Sequence, residues 1–268
     1  MPMLISHSFR KLILVLPRLN KNILFLFFKS KPFLKDLIPT NYVDIHSHLL
    51  PGIDDGAKTI VETLSLTTEM HKMGFTQAVT TPHVMSSVWE NTRKEIEELQ
   101  VSTSKTIKES LPNFSCKAAA EYFLDSNFHR LLQTEPLLTI KDNYVLIEMS
   151  YIAPPIQIFE ILFDMQVAGY VPVLAHPERY TYYHSDSSHY RKLKNAGCKF
   201  QMNLLSVVGY YGKTVAESAA RLLRDGLIDF VGSDIHHRHH TKAFSKRVMV
   251  KDTTPLENAF GNNSTFSF

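Results

Sequence analysis

Residues 43–56 read Val43-Asp44-Ile45-His46-Ser47-His48-Leu49-Leu50-Pro51-Gly52-Ile53-Asp54-Asp55-Gly56, and this stretch decides the fold. Val43 and Ile45 suit a buried strand. Successive side chains alternate across a strand, so His46 and His48 lie on one side, about two residues of rise apart. A glycine-bounded turn carrying two carboxylates follows. Two imidazoles at a strand end, with acids on the next turn, make up half of a metal site. A His-x-His pair alone is equally well a surface pair, so the other strands must decide.

Downstream, apolar runs alternate with amphipathic ones. Strands are expected at 42–48, 76–81, 117–123, 144–149, 171–175, 199–204 and 228–232. Helices are expected at 59–72, 92–108, 126–133, 155–168, 188–195 and 214–224, several of them stopped by Gly74, Gly169, Gly197 or Gly226. From about Thr241 the chain reads as a helix or two and a polar tail. Seven β-α repeats with short links imply parallel strands joined by right-handed crossovers. The expected fold is α/β, a single-domain, distorted (β/α)7 TIM-like barrel over residues 41–268. An open doubly wound sheet is the alternative.

In such barrels the active site gathers at the carboxyl ends of the strands. The first expected strand ends in His46 and His48, the second in His83, the third in Glu121, the fourth in Glu148 and the fifth in His176. The seventh supplies Asp234, with His236 two residues on. Only the sixth, ending near Asn203, brings no ionisable group. Asp234-Ile235-His236 repeats the spacing of the opening histidines, and a closed barrel makes its first and last strands neighbours. Asp54 or Asp55 can reach the same rim. So many groups exceed the needs of one ion and imply two or three ions sharing carboxylates. Imidazole and carboxylate without thiolate suit manganese, iron, zinc or magnesium. Dications about 3.5–4 Å apart are suited to phosphate ester hydrolysis.

Each of these residues also has a plainer reading. Lys117 can pair Glu121, His83 can be a turn histidine, and His176 can cap a helix. Glu148 is harder to explain away, because a lone carboxylate within Val145-Leu146-Ile147-Glu148-Met149 is costly. His184, His189, His237, His239 and His240 read as loop histidines and His71 as a surface one. The two cysteines, Cys116 and Cys198, form no pairing pattern and imply a reducing compartment. Neither opens a Cys-x5-Arg nucleophile motif. A net charge of +3 and no concentrated basic stripe argue against nucleic acid. Residues 1–40 form a separate arm, free of acids as far as Lys31 and alternating basic with apolar clusters. Its apolar runs are too short to span a bilayer. It is expected to pack on the domain or remain unstructured, with weak contact to an anionic membrane surface as the alternative.

Six segments resemble the polymerase-and-histidinol-phosphatase (PHP) superfamily. They are Asp44–Gly56, Thr81-Pro82-His83, Ala120-Glu121-Tyr122-Phe123, Leu146-Ile147-Glu148-Met149-Ser150, Leu174-Ala175-His176-Pro177-Glu178-Arg179-Tyr180 and Gly232-Ser233-Asp234-Ile235-His236. More narrowly, they resemble its bacterial manganese-dependent protein-tyrosine phosphatases of capsule and exopolysaccharide operons. The resemblance implies three ions: one on His46, His48, Glu121 and Asp234; one on Glu121, Glu148 and His176; one on Asp55, His83 and His236. It assigns Asp55 rather than Asp54 to the ring and leaves Asp44 as a structural partner. Arg179 would clamp the phosphoryl group, its guanidinium fork matching two oxygens, with Asp234 and His236 beside it as catalytic residues. An ion pair of Arg179 with Glu178 is the alternative.

The implied reaction is direct hydrolysis of phosphotyrosine without a phosphoenzyme. Its phenolate departs readily, because tyrosine has a pKa of about 10. The implied partner is a bacterial tyrosine kinase of polysaccharide export, and the implied setting is the cytoplasm or the membrane periphery, with oligomers allowed. Two departures stand out: the loop His237-Arg238-His239-His240 is short, so Arg238 as a second phosphate contact is an open expectation, and Val84–Trp89 has no basic residue. The alternatives are a small-molecule phosphatase acting on a substrate such as histidinol phosphate, and a non-catalytic module that binds metal or phosphotyrosine. An amidohydrolase would want a bridging lysine where Glu121 and Glu148 stand.

Overall fold

Proline has no N–H to give to a ladder, and Pro82 accordingly breaks the second expected strand in the computed structural model, which describes residues 30–268. The expectations for the basic arm up to residue 29 lie outside the described residues. Strands β1 (Tyr42–Asp44), β2 (Phe75–Thr80) and β4 (Ser115–Ala118) form one parallel sheet in the order β1-β2-β4. Strands β3 (His83–Val84), β5 (Glu121–Phe123), β6 (Tyr144–Glu148), β7 (Val171–Ala175), β8 (Lys199–Asn203) and β9 (Phe230–Gly232) form a second parallel sheet in that order. The seven expected strands therefore become nine segments in two sheets, because the second and third are each interrupted. The first is also shorter than expected: it ends at Asp44, and His46 and His48 follow in irregular backbone.

Backbone hydrogen bonds nevertheless tie these interruptions together. Thr81 N–H donates to the Ser47 carbonyl (2.7 Å), Ala119 N–H to Thr80 (2.8 Å) and Glu121 N–H to Pro82 (3.0 Å). On the other side Asp234 N–H donates to the His46 carbonyl (2.7 Å) and His48 N–H to Ile235 (2.9 Å). Ser47 and Ile235 form an isolated parallel bridge. A core shared by both sheets lies beneath these contacts, built from Val43, Ile45, Val79, Ala119, Leu146, Val173, Ala175 and Phe230. Phe266 completes it from the C-terminus, edge-on to Tyr144 (5.3 Å) and Phe230 (4.9 Å). The expected polar tail thus ends in a buried anchor.

Three of the helices start where a side chain satisfies their free N–H groups. Thr59 caps α1 (Ile60–Lys72), and Thr92 with Glu95 closes a capping box on α2 (Arg93–Ser110). Asp125 caps α3 (Ser126–Thr134). Helix α4 (Ile158–Val167) begins later than expected, after a turn in which Ile158 N–H donates to the Pro155 carbonyl at 3.2 Å. Helices α5 (Ser188–Asn195), α6 (Lys213–Arg224), α7 (Arg238–Ala243) and α8 (Thr254–Asn262) complete the set. The compact unit runs over Lys31–Phe268, so residues 31–40 belong with it: Leu34 is buried and Phe33 pairs with Arg247. Among the described residues no helix is long and apolar enough to cross a membrane.

Candidate metal centre

Glycine allows His46 and His48 to sit as deep as they do. A Cβ on Gly56 would lie 2.3 Å from the His48 carbonyl oxygen, and one on Gly232 would lie 2.6 Å from the His46 Cβ. Both imidazoles are then oriented from behind. His46 Nδ1 stands 2.7 Å from Gln201 Oε1, while Gln201 Nε2 donates to the Met202 carbonyl at 2.8 Å. The amide oxygen is therefore the acceptor, Nδ1 carries the proton, and the Nε2 lone pair points inward. His48 is held the same way by Asp54, whose Oδ2 lies 2.7 Å from Nδ1. Asp54 is fixed in turn by the Gly56 and His83 N–H groups.

The inward Nε2 atoms meet two carboxylates. His46 Nε2 is 3.3 Å from Glu121 Oε2, from Asp234 Oδ1 and from His48 Nε2. His48 Nε2 is 3.5 Å from Glu121 Oε2 and 3.4 Å from Asp234 Oδ1. Among His46, His48 and Glu121 such separations suit donors that share one ion at bonds of about 2.0–2.2 Å. The other Glu121 oxygen, Oε1, faces His176 Nε2 at 3.1 Å, and Glu148 Oε1 lies 3.6 Å from the same nitrogen. His83 Nδ1 is 3.2 Å from Glu121 Oε2, and its Nε2 is 3.5 Å from Asp55 Oδ1. Asp55 also lies 3.4 Å from His236 Nε2. The nine residues expected as ligands thus stand in one continuous ring, as four overlapping donor groups.

The donor chemistry fits divalent ions. Glu121 Oε2 is fully buried without a hydrogen-bond donor, a costly state for a carboxylate. The site gathers five carboxylates (Asp54, Asp55, Glu121, Glu148, Asp234) against one guanidinium, Arg179, which pairs with Asp234. With neutral imidazoles about four negative charges remain, roughly what two dications neutralise. Burial alone would strip His46 of its proton, yet Glu121 and Asp234 lift it to about 9. Burial and the charge of Glu121 push Glu148 up to about 8. In both cases a proton stands where a cation is wanted. Backbone strain is concentrated here too. His176 (φ 35°) and Asp234 (φ 51°) both occupy the left-handed region, at a cost of order 1–3 kcal/mol each.

Arg179 reaches the ring from the turn after β7. Its Nη1 donates to Asp234 Oδ2 at 3.0 Å, and its guanidinium lies between the rings of Tyr151 (4.9 Å) and Tyr211 (4.3 Å). The alternative pair with Glu178 does not form. Glu178 is buried, accepts from Asn203 N–H and Ser206 Oγ, and is pushed up to about 7 by burial. Nor does Lys117 pair with Glu121; its ammonium lies over the Phe268 ring. Arg238 is not brought to the ring. It opens α7, exposed, and lines a neighbouring cleft with Val61, Glu62, Leu66 and the ring residue His236.

Two orienting residues, Gln201 and Asn203, the latter donating to Asp234 Oδ2 at 2.7 Å, are absent from the sequence-based expectations, whereas Asp54, expected as an alternative to Asp55 at the rim, orients His48 instead. Gln201 and Asn203 did leave a signal: they are polar at alternate positions between Phe200, Met202 and Leu204. Asp44 accepts from Ser233 N–H and Oγ beneath the ring. Above the ring lies a cavity of about 240 Å³, whose further lining is Met85, Trp89, Phe123, Tyr151 and Tyr211.

Residues 42–252 match the family described as capsular polysaccharide synthesis, CpsB/CapC. The tyrosine-protein phosphatase YwqE of Bacillus subtilis is 30% identical over 197 residues, 73% of this chain and 77% of that protein. The tyrosine-protein phosphatase CpsB of Streptococcus pneumoniae is 29% identical over 201 residues, 73% of this chain and 83% of that one. A crystal structure from work on YwqE and CpsB, described as unique metal-dependent tyrosine phosphatases, superposes with a TM-score of 0.70 at 28% identity, covering 75% of this chain and 84% of the other. An amidohydrolase from Mycoplasma synoviae shares the fold alone, with a TM-score of 0.51 at 10% identity.

Proposed function

The chain belongs to the CpsB/CapC capsular polysaccharide synthesis family, and on that premise we propose that it hydrolyses phosphotyrosine in proteins, using divalent ions held by His46, His48, Asp55, His83, Glu121, Glu148, His176, Asp234 and His236. One observation carries the reading: the two oxygens of buried Glu121 face different imidazoles, Oε2 that of His46 and Oε1 that of His176. A carboxylate so placed suits a bridge between two ions. The hydrogen bonds linking the two sheets support a single distorted (β/α)7 barrel with this ring at its carboxyl end. Manganese is the proposed metal, as two or three ions, with iron, zinc and magnesium as substitutes.

When bound, the ions supply Lewis acidity, lower the pKa of water and neutralise phosphoryl charge. The chain's own groups do the positioning. Arg179, clamped between two tyrosine rings and held by Asp234, offers its remaining N–H groups to phosphoryl oxygens. Its charge is fixed, so it favours the more negative transition state over the ester. His236 has Nδ1 tied to the Asp234 carbonyl at 2.9 Å, which leaves Nε2, 3.4 Å from Asp55, to hold an ion at the rim. The phosphoryl group passes to water, and the P–O(tyrosine) bond breaks without a phosphoenzyme. The proposed substrate is a tyrosine kinase of polysaccharide export, met in the cytoplasm or at the membrane periphery.

The test is hydrolysis of a phosphotyrosine peptide and of histidinol phosphate, with and without chelator and added Mn²⁺. Activity on the peptide that is lost with chelator, restored by metal and absent from His48→Ala is expected. Undiminished turnover under chelator would overturn the metal reading, and a strong preference for histidinol phosphate would overturn the substrate.

A further inference from the structure

The cavity above the ring has two unlike walls. On one side the faces of Tyr151 and Tyr211 are occupied by Arg179, and the Tyr151 ring also stacks on His176 at 5.8 Å. On the other side stand Met85, Trp89 and Phe123, apolar and only partly buried. We propose that Met85, Trp89 and Phe123 form the face that receives the aryl ring of phosphotyrosine, and that this face sets the preference for aryl over alkyl phosphate esters. The inference rests on the phosphatase reading above.

The wall is built rigidly and in register with the ligands. Met85 N–H donates to the Trp89 carbonyl (2.8 Å) and Trp89 N–H to the Met85 carbonyl (2.9 Å). The tight turn between them carries Ser87 at φ 62°. Ser86 N–H donates to Asp125 Oδ2 at 2.9 Å. Asn91 Nδ2 then pins the turn to the Ile53 carbonyl (3.1 Å) and to that of His83, itself a ring residue (2.8 Å). Phe123 lies two residues beyond Glu121 on β5, so it shares that face of the strand about 7 Å further out. A phosphoryl group held by Arg179 and the ring would place its ester substituent at this depth. The cavity is smaller than the roughly 300–1,000 Å³ of sites for drug-sized ligands, which suits a protruding side chain. A flat apolar wall there gains from stacking with an aryl ring and offers an alkyl ester little. The Met85 and Phe123 side chains carry no hydrogen-bond donor and that of Trp89 only its indole N–H, so discrimination comes chiefly from ring burial.

The chain has one tryptophan, so tryptophan emission reports on this wall alone. Manganese-loaded protein would be titrated with a peptide bearing difluorophosphonomethyl-phenylalanine, a non-hydrolysable aryl mimic, and with a peptide bearing an alkyl phosphonate of equal charge. The aryl probe should shift the emission saturably and the alkyl probe should not. In parallel, Trp89→Ala should lower kcat/KM for a phosphotyrosine peptide about tenfold, with under twofold change for glycerol 2-phosphate, and Trp89→Phe should restore most of the loss. If Trp89→Ala does not fold, Met85→Ala carries the same comparison. An aryl probe that inhibits without moving the emission, or variants that lower aryl and alkyl turnover alike, would overturn the inference while leaving the phosphatase reading intact. Wild-type protein inert toward phosphotyrosine would overturn that reading instead, whatever the emission shows.

Discussion

Removing the Gln201 amide should damage metal binding from a residue that touches no metal. Gln201 is fully buried and its Oε1 holds His46 Nδ1 at 2.7 Å. Gln201→Leu keeps the bulk but leaves a buried imidazole N–H without an acceptor, a loss of about 1–3 kcal/mol. His46 can escape it by moving the proton to Nε2, which then points an N–H at Glu121 and Asp234 and cannot ligate. Either route weakens the ion at this corner, and such supporting contacts are worth about 10–100-fold in affinity, or ~1.4–2.7 kcal/mol. Competition against a chromophoric chelator measures it directly, without turnover. Gln201→Leu should weaken Mn²⁺ binding by about 10–100-fold, whereas Gln201→Glu, which keeps the acceptor, should hold or tighten it. A leucine variant with wild-type affinity, or a glutamate variant as weak as the leucine one, would refute the orienting role.

Gly56→Ala should abolish stoichiometric metal uptake while far-UV circular dichroism stays native-like, since the new Cβ would sit 2.4 Å from the His48 Cβ and neither backbone can yield; normal uptake would show that the turn relaxes. Phe266→Ala removes a ring buried against Tyr144 and Phe230 and should lower urea-unfolding stability by about 3–5 kcal/mol, a change under 1 kcal/mol indicating that the C-terminus is dispensable. Metal-free protein should lose stability between pH 7 and 9. Glu148 (about 8) and His46 (about 9) both lie above their ordinary values, so each favours folding in its protonated form and that contribution fades as pH rises through these values. Saturating Mn²⁺ should flatten or reverse the slope, and a metal-free protein more stable at pH 9 than at pH 7 by thermal melting would contradict the assignment.

The ligand types were legible because each depends on short-range rules. The two-residue spacing of His46 with His48, and of Asp234 with His236, marks both pairs, although β1 ends at Asp44 and β9 at Gly232 and the pairs meet in irregular backbone. An apolar strand makes the carboxylate of Glu148 conspicuous. Thr59 and Thr92 mark helix starts through contacts only three residues long. The interruption at Pro82 is equally local: Thr81-Pro82 separates β2, ending at Thr80, from β3 at His83–Val84.

What local rules could not decide is which neighbouring group does which work. Asp54 and Asp55 are chemically alike and adjacent. The turn aims Asp54 at the back of His48 (2.7 Å) and Asp55 at the rim toward His236 (3.4 Å). Arg179 and Arg238 are equally plausible phosphate clamps by composition, yet only Arg179 faces the ring. Gln201 lies 155 positions from His46, and no periodicity links them. The imidazoles and carboxylates at the expected strand ends, and their order along the chain, are legible in residue identity and spacing alone, while Asp55 over Asp54 rests on resemblance. Only the tertiary structure decided how nine donors share oxygens, which amide and which acid orient them, and that Trp89 lines the cavity above the ring, because those distances are set by how the strands pack together.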